Sequence, residues 1–329
     1  MRVLVLALVI AFTTSGAEAS DFVLRLPLGL QEQAAWIPDD NPLTAEKIAL
    51  GKQLFWDKRW SRNGTVACVS CHDPGRGWAD PRQFSARFDG KPTPRHSPTV
   101  VNRLFSVEQQ WAGTRASLED QAIKASDQLP ELLVKNLGAI RGYQEQFRRV
   151  FDTDVTPEGV AKAIAAYERM ILSGNAPYDR FRAGDAAALS PAARRGLALF
   201  SGKARCAPCH AGFNFTDEGF HNIGVGMDAE KPDLGRFTVT KVEAHKGGFK
   251  TPTLRDVAPR PPYMHNGSLK SLADVVALYN RGGTANPWLS SAIQPLNLTA
   301  AEQQDLVAFL EALTGQVAAD VASPPQLPD

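Results

Sequence analysis

Apolar residues recur through most of this chain at helical spacing. Behind Thr156-Pro157, the residues Val160, Ile164, Tyr167 and Ile171 share one helical face, and near the C-terminus Leu306, Phe309, Leu310 and Leu313 do the same. Start signals stand where such helices should open. Ser190-Pro191 offers an N-cap followed by proline at the first helical position. Ser117/Asp120, Ser271/Asp274 and Thr299/Glu302 have the spacing of reciprocal caps, and Gly315 is placed to stop the last helix. No convincing run of alternating apolar and polar residues predicts a strand. The pattern predicts a mainly α fold with long loops, and 26 Gly and 23 Pro in 329 residues fit those loops.

The start of the chain reads differently. Met1-Arg2 is followed by an unbroken apolar run from Val3 to Phe12 and then by Ala17-Glu18-Ala19, the pattern of a secretory signal peptide cleaved after residue 19. The run is too short to span a hydrocarbon core of about 30 Å, and no later stretch reaches that length. The expectation is a periplasmic protein with no membrane span after processing. Lys+Arg 36 against Asp+Glu 35 gives a net charge of +1 and no bulk electrostatic case for a nucleic-acid partner.

All four Cys fall into two copies of one pattern, Cys68-Val69-Ser70-Cys71-His72 and Cys206-Ala207-Pro208-Cys209-His210. Cys-x-x-Cys-His is the attachment site of a c-type haem: one short turn presents two thiols to the porphyrin vinyl groups and the adjacent imidazole to the iron. A Cys₄ zinc site needs no His after each pair, and a thioredoxin-like redox pair does not account for two copies. Export fits as well, since c-type haem is assembled outside the cytoplasm. The cofactors expected are two covalently bound c-type haems, with His72 and His210 as iron ligands.

The segment ahead of each motif also repeats, as Leu50-Gly51-Lys52-Gln53-Leu54-Phe55 and Arg195-Gly196-Leu197-Ala198-Leu199-Phe200. Two related haem domains follow. The expected organisation is a signal peptide at 1–19, a first haem domain at 20–180, a second at 181–315, and a Pro-rich, disordered tail at 316–329.

These motifs, with Pro98-Thr99-Val100-Val101-Asn102, Trp111-Ala112-Gly113, Thr251-Pro252-Thr253-Leu254-Arg255, Pro262-Tyr263-Met264-His265-Asn266-Gly267 and Tyr279-Asn280-Arg281-Gly282-Gly283, make the chain resemble the bacterial dihaem cytochrome c peroxidase superfamily, which includes the MauG type. The resemblance implies two cytochrome c-like domains around an interface calcium ion. It implies H₂O₂ reacting at the N-terminal haem, with the C-terminal haem as an electron store. Trp111 then matches the tryptophan between the haems, an electron relay, and Gln121 and Glu131 match the distal polar pair at the family spacing. Splitting peroxide moves a proton from one oxygen to the other, which independently calls for a distal acid–base group. A solvated first-turn carboxylate is the plainer reading of Glu131, a surface amide that of Gln121, and a core aromatic that of Trp111.

Departures from the family pattern point to the subtype. Phe88 stands where the peroxidase branch commonly carries a distal His, so the first haem is expected to be five-coordinate. Tyr279 stands where that branch has a distal Met, as in the MauG type; a phenolate favours ferric and higher iron. Met264 is the fallback ligand, Met170, Met227, His221 and His245 are further candidates, and a core tyrosine is the plainer reading of Tyr279. His96 replaces the Asn that binds calcium in the family, and imidazole does not suit that ion, although backbone carbonyls near Arg260 and Pro262 are available. Ala125 replaces a common distal Pro. Ala204 replaces the surface Trp found in the member that matures methylamine dehydrogenase. The functional expectation is an oxidoreductase that oxidises an electron-donor protein or the side chains of a partner protein. A dihaem electron-transfer cytochrome without catalysis is the alternative.

Overall fold

The structure, a computed structural model, describes residues 22–124 and 130–329. The expected signal peptide and Ala125 lie outside the described residues. Eleven helices carry the described fold: α1 (Ala45–Trp56), α2 (Leu118–Lys124), α3 (Pro130–Gly138), α4 (Arg141–Phe151), α5 (Pro157–Glu168), α6 (Pro177–Arg182), α7 (Pro191–Ser201), α8 (Phe237–Thr240), α9 (Leu272–Asn280), α10 (Ala300–Glu311) and α11 (Ala319–Ala322). Long loops join them, and one small antiparallel pair, β1 (Phe220–His221) with β2 (Phe249–Lys250), lies in the second half. Residues this few carry no alternation, so the pair left no pattern to read. Among the described residues no helix is long and apolar enough to cross a membrane.

The helix starts follow their caps. Thr156 and Ser190 accept the backbone N–H groups of Gly159 and Ala193, each ahead of a proline in the first turn. Ser271/Asp274 and Thr299/Glu302 form reciprocal capping boxes. At Ser117 the hydroxyl caps Asp120 N–H, but the Asp120 carboxylate reaches Ala116 N–H instead of the cap residue. Gly315 does not end α10, which stops at Glu311. Its N–H donates to Asp256, and a Cβ there would lie 2.5 Å from the Gly174 carbonyl.

Two cores repeat one arrangement. In the first, α1 crosses α5 at Gly51, where a Cβ would lie 1.8 Å from the Ala163 carbonyl oxygen. In the second, α7 crosses α10 at Gly196, where a Cβ would lie 2.0 Å from the Asp305 carbonyl oxygen. The phenylalanine four residues after each glycine carries the contact onward. Phe55 meets Tyr167 and Trp78, at ring separations of 5.3 and 6.1 Å. Phe200 meets Phe309 and Phe215, at 5.1 and 6.0 Å.

The expected divisions need two corrections. Helix α6, which a boundary at residue 180 would split, packs Tyr178 on Phe215 and Phe309 and so sits with the second core. The tail at 316–329 is not disordered but laid across the first core. Val317, Val321 and Ala322 pack on that core, and Gln53, Arg59 and Tyr167 donate to the carbonyls of Gln326, Pro328 and Val321. Arg255 ties three further segments together: its buried guanidinium forks onto Asp179 at 2.8 and 2.9 Å and also donates to the Gly29 carbonyl.

Candidate dihaem site

Each Cys-x-x-Cys-His closes into a single turn. His72 N–H donates to the Cys68 carbonyl at 3.0 Å, and His210 N–H to that of Cys206 at 2.9 Å. Both thiols and the imidazole of each motif thereby line one cavity, of about 310 Å³ at the first motif and about 330 Å³ at the second. Burial pushes all four thiols up, that of Cys206 to about 12, so they are held protonated.

The two imidazoles are held alike. His72 Nδ1 lies 3.3 Å from the Trp78 carbonyl oxygen and His210 Nδ1 lies 2.9 Å from that of Phe215. A carbonyl accepts and cannot donate, so each Nδ1 carries the proton and each Nε2 keeps its lone pair for a metal. Trp78 and Phe215 are the residues that Phe55 and Phe200 press against, which links each glycine crossing to the orientation of its imidazole. Burial lowers both imidazoles below the ordinary His range and keeps them neutral, as iron ligation requires.

Trp111 lines both cavities. Its indole N–H donates to the His96 carbonyl at 2.8 Å, and its own carbonyl accepts from Lys250 N–H at 2.7 Å. Gln121 lines the first cavity, with its Oε1 buried and without a hydrogen-bond partner among the described residues. Phe88 lines the same cavity and offers no donor atom to a metal. Glu131 is not brought to this cavity: it stands exposed in the first turn of α3.

The second cavity holds Tyr279, Met264 and His221 together; Met170, Met227 and His245 do not line it. Burial, with Cys206 and Cys209 close by, raises the Tyr279 phenol far above its ordinary range. Among the described residues nothing hydrogen-bonds its hydroxyl. His221 is occupied with Asp217 at 2.8 Å. The residues around His96 do not fit a calcium ion. Its Nδ1 faces the Arg82 carbonyl at 3.2 Å, its own carbonyl already serves Trp111, and the buried Arg260 cation acts on it. Ala204 is buried, so the equivalent of a surface Trp is absent here.

Three charged residues in these walls were not foreseen. Glu168, at the end of α5, is buried in the first cavity, and burial pushes its carboxyl up to about 7 against the pull of Arg103 and Arg169. A Glu-Arg pair closing an apolar helical stripe was the available signal. Arg103 and Lys250 line both cavities, and nothing local marks either one.

A pH effect follows from His265, which lies flat on Phe249 at 3.6 Å and which burial pulls down to about 4. The folded state prefers the neutral ring. Its contribution is therefore full above the unfolded value of about 6.5 and is lost as pH falls toward 4, up to roughly 3 kcal/mol. Urea unfolding of the haem-loaded protein at pH 7 and pH 4.5 should show a larger loss for wild type than for His265→Phe, which keeps the stacking. Equal losses would remove His265 as the cause.

The di-haem cytochrome c peroxidase family model matches residues 45–187. The chain is also 43% identical over 301 residues to the methylamine utilization protein MauG of Methylorubrum extorquens, covering 88% of this chain and 84% of that protein. The chain belongs to the di-haem cytochrome c peroxidase family. Its relatives include a cytochrome-c peroxidase of Denitromonas iodatirespirans, 40% identical over 94% of this chain and 92% of that protein. Among solved structures, a MauG-like protein associated with microbial copper homeostasis superposes with a TM-score of 0.82 at 29% identity, covering 96% of this chain and 99% of that one. As a member of this family the chain is a haem-dependent oxidoreductase acting on peroxide, and the family implies two haem cofactors.

Proposed function

We propose that this protein works in the periplasm as a MauG-like dihaem peroxidase, reacting H₂O₂ at the haem held by Cys68, Cys71 and His72. The haem on Cys206, Cys209 and His210 stores one of the two oxidising equivalents. The observation that carries this reading is the pair of equivalent turns, each with its imidazole fixed through Nδ1, facing two cavities with Trp111 in the wall between them.

When bound, haem iron supplies the redox chemistry by which H₂O₂ takes up two electrons and two protons to give two waters. The chain's residues arrange the rest. Phe88 cannot ligate, so the distal side of the first cavity stays open to peroxide. Gln121 Oε1, without a partner among the described residues, is available to orient it, and Glu131, in the first turn of α3 and outside the cavity wall, is the proton carrier proposed from the family resemblance. Trp111 offers an aromatic path between the cavities. Tyr279 would serve the second haem as a hard anionic ligand, a role supported by its place in the second cavity and by a hydroxyl without a hydrogen-bond partner among the described residues; Met264 is the fallback. The reducing substrate is a periplasmic protein, either an electron donor or a partner whose side chains are oxidised. Phe88, which has no atom to offer iron where a ligand would be needed, weighs against the plain electron-transfer alternative.

Low-temperature EPR of the oxidised protein tests this reading. Separate high-spin and low-spin ferric signals are expected, and two low-spin signals would overturn the open first haem. Tyr279→Met is expected to raise the reduction potential of the second haem by at least about 60 mV, a tenfold change in a one-electron equilibrium. Redox titration checks it, and an unchanged potential and spectrum would return Tyr279 to the core.

A further inference from the structure

The wall between the two cavities contains a charge imbalance. Arg103 and Lys250 line both cavities, and both bond to one hydroxyl, Ser106 Oγ, at 2.7 and 2.6 Å. Ser106 in turn donates to Glu218, which also pairs with Lys250. Arg103 is held by Gln109 Oε1 at 2.7 Å and makes no ion pair among the described residues. The Glu108 carboxylate is occupied with Arg236 at 2.7 Å. Two cations thus share one paired carboxylate, with Glu168 acting on Arg103 only from the first cavity's wall and its own carboxyl pushed up to about 7, and Lys250 is 5% exposed.

An unbalanced buried cation is strongly disfavoured unless an anion joins it. Left as it stands, burial pulls the Lys250 amine down to about 7. Other cations in these walls are less suited to serve both cavities. Arg95 lines the first and is forked onto Asp233, at 2.7 and 2.9 Å, whereas Arg260 lines the second. Each haem brings two carboxylates of its own. We propose that Arg103 and Lys250 form one carboxylate seat, shared by both cavities, which takes propionate groups from both haems and so couples the charge of one iron to the other. This inference rests on the dihaem reading above. The seat is also joined to Trp111, because Lys250 N–H donates to the Trp111 carbonyl.

Lys250→Gln, Lys250→Arg and Glu218→Gln in the haem-loaded protein test the seat. Covalent haem is counted by pyridine haemochrome, propionate bending bands are read by resonance Raman, and both potentials are titrated spectroelectrochemically. Removing the Lys250 charge favours ferric iron, so Lys250→Gln should move the propionate bands of both haems and shift both potentials to more negative values. Lys250→Arg should restore both readouts toward wild type. Glu218→Gln strengthens the surplus positive charge and should shift both potentials in the opposite direction. Two haems with propionate bands unmoved, or moved at one haem alone, overturn the seat even where potentials change, since a charge acting through space needs no contact. Should Lys250→Gln fail to fold, Glu218→Gln decides by the same bands. Fewer than two haems in the wild-type protein would overturn the dihaem reading and the seat with it.

Discussion

Glu131→Gln is expected to slow the reaction of the ferric protein with H₂O₂ by at least about a hundredfold, with folding, haem content and the open first haem intact. The substitution keeps size and hydrogen bonding but removes the group proposed to carry a proton between the peroxide oxygens. Such transfer by a positioned side chain is typically worth about 10²–10⁴-fold, or roughly 3–5 kcal/mol at 1.36 kcal/mol per decade. Stopped-flow mixing at 25 °C gives the rate. Glu131 is exposed, and an exposed Glu→Gln ordinarily shifts free energies by under about 0.5 kcal/mol. A rate within about twofold of wild type would therefore sink the assignment. The proton work would then pass to Glu168, whose carboxyl, pushed up to about 7 inside the first cavity, already lies in the range that favours general acid–base catalysis.

The second large effect lies at the helix crossings. Gly51→Ala and Gly196→Ala are each expected to cost about 3 kcal/mol or more, at the upper end of the range for overpacked cores. The added Cβ would meet backbone carbonyls at 1.8 and 2.0 Å, and a carbonyl in the middle of a helix cannot swing aside as a side chain can. Relief requires the helices to separate, which moves Phe55 or Phe200 and, through Trp78 or Phe215, the carbonyl that fixes the imidazole. Each variant should therefore lower the denaturation midpoint and also broaden the ferric EPR signal of its own haem, leaving the other haem's signal sharp. A midpoint unchanged within error would show that the crossings tolerate a methyl group.

What could be read in the sequence follows the range over which each feature acts. Thr156, Ser190, Ser271 and Thr299 cap helices through residues three positions away, so their signals were local and held. The haem turns were legible for the same reason, since five adjacent residues contain both thiols and the ligand. Gly51 and Gly196 showed as a repeat, but its cause, a close crossing with α5 or α10, is more than a hundred residues distant in each half and left no trace nearby. The tail was misjudged because its anchors are carbonyls of Val321, Gln326 and Pro328, a group every residue has. Arg103, Lys250 and Glu218 come from three separate segments, and no spacing rule joins them.

The docked tail makes the maturation of this protein a matter of timing. The first core is encoded early, yet part of its outer cover comes from residues 316–329, which emerge after the second core. Until then Val317 and Val321 have not reached the first core, and the Tyr167 hydroxyl lacks the carbonyl to which it donates. The second domain has its whole core once the chain has passed Leu313. As the chain emerges, the later-encoded half can therefore finish folding first. The earlier half, where peroxide chemistry is proposed, gains this cover only after the second core has been made.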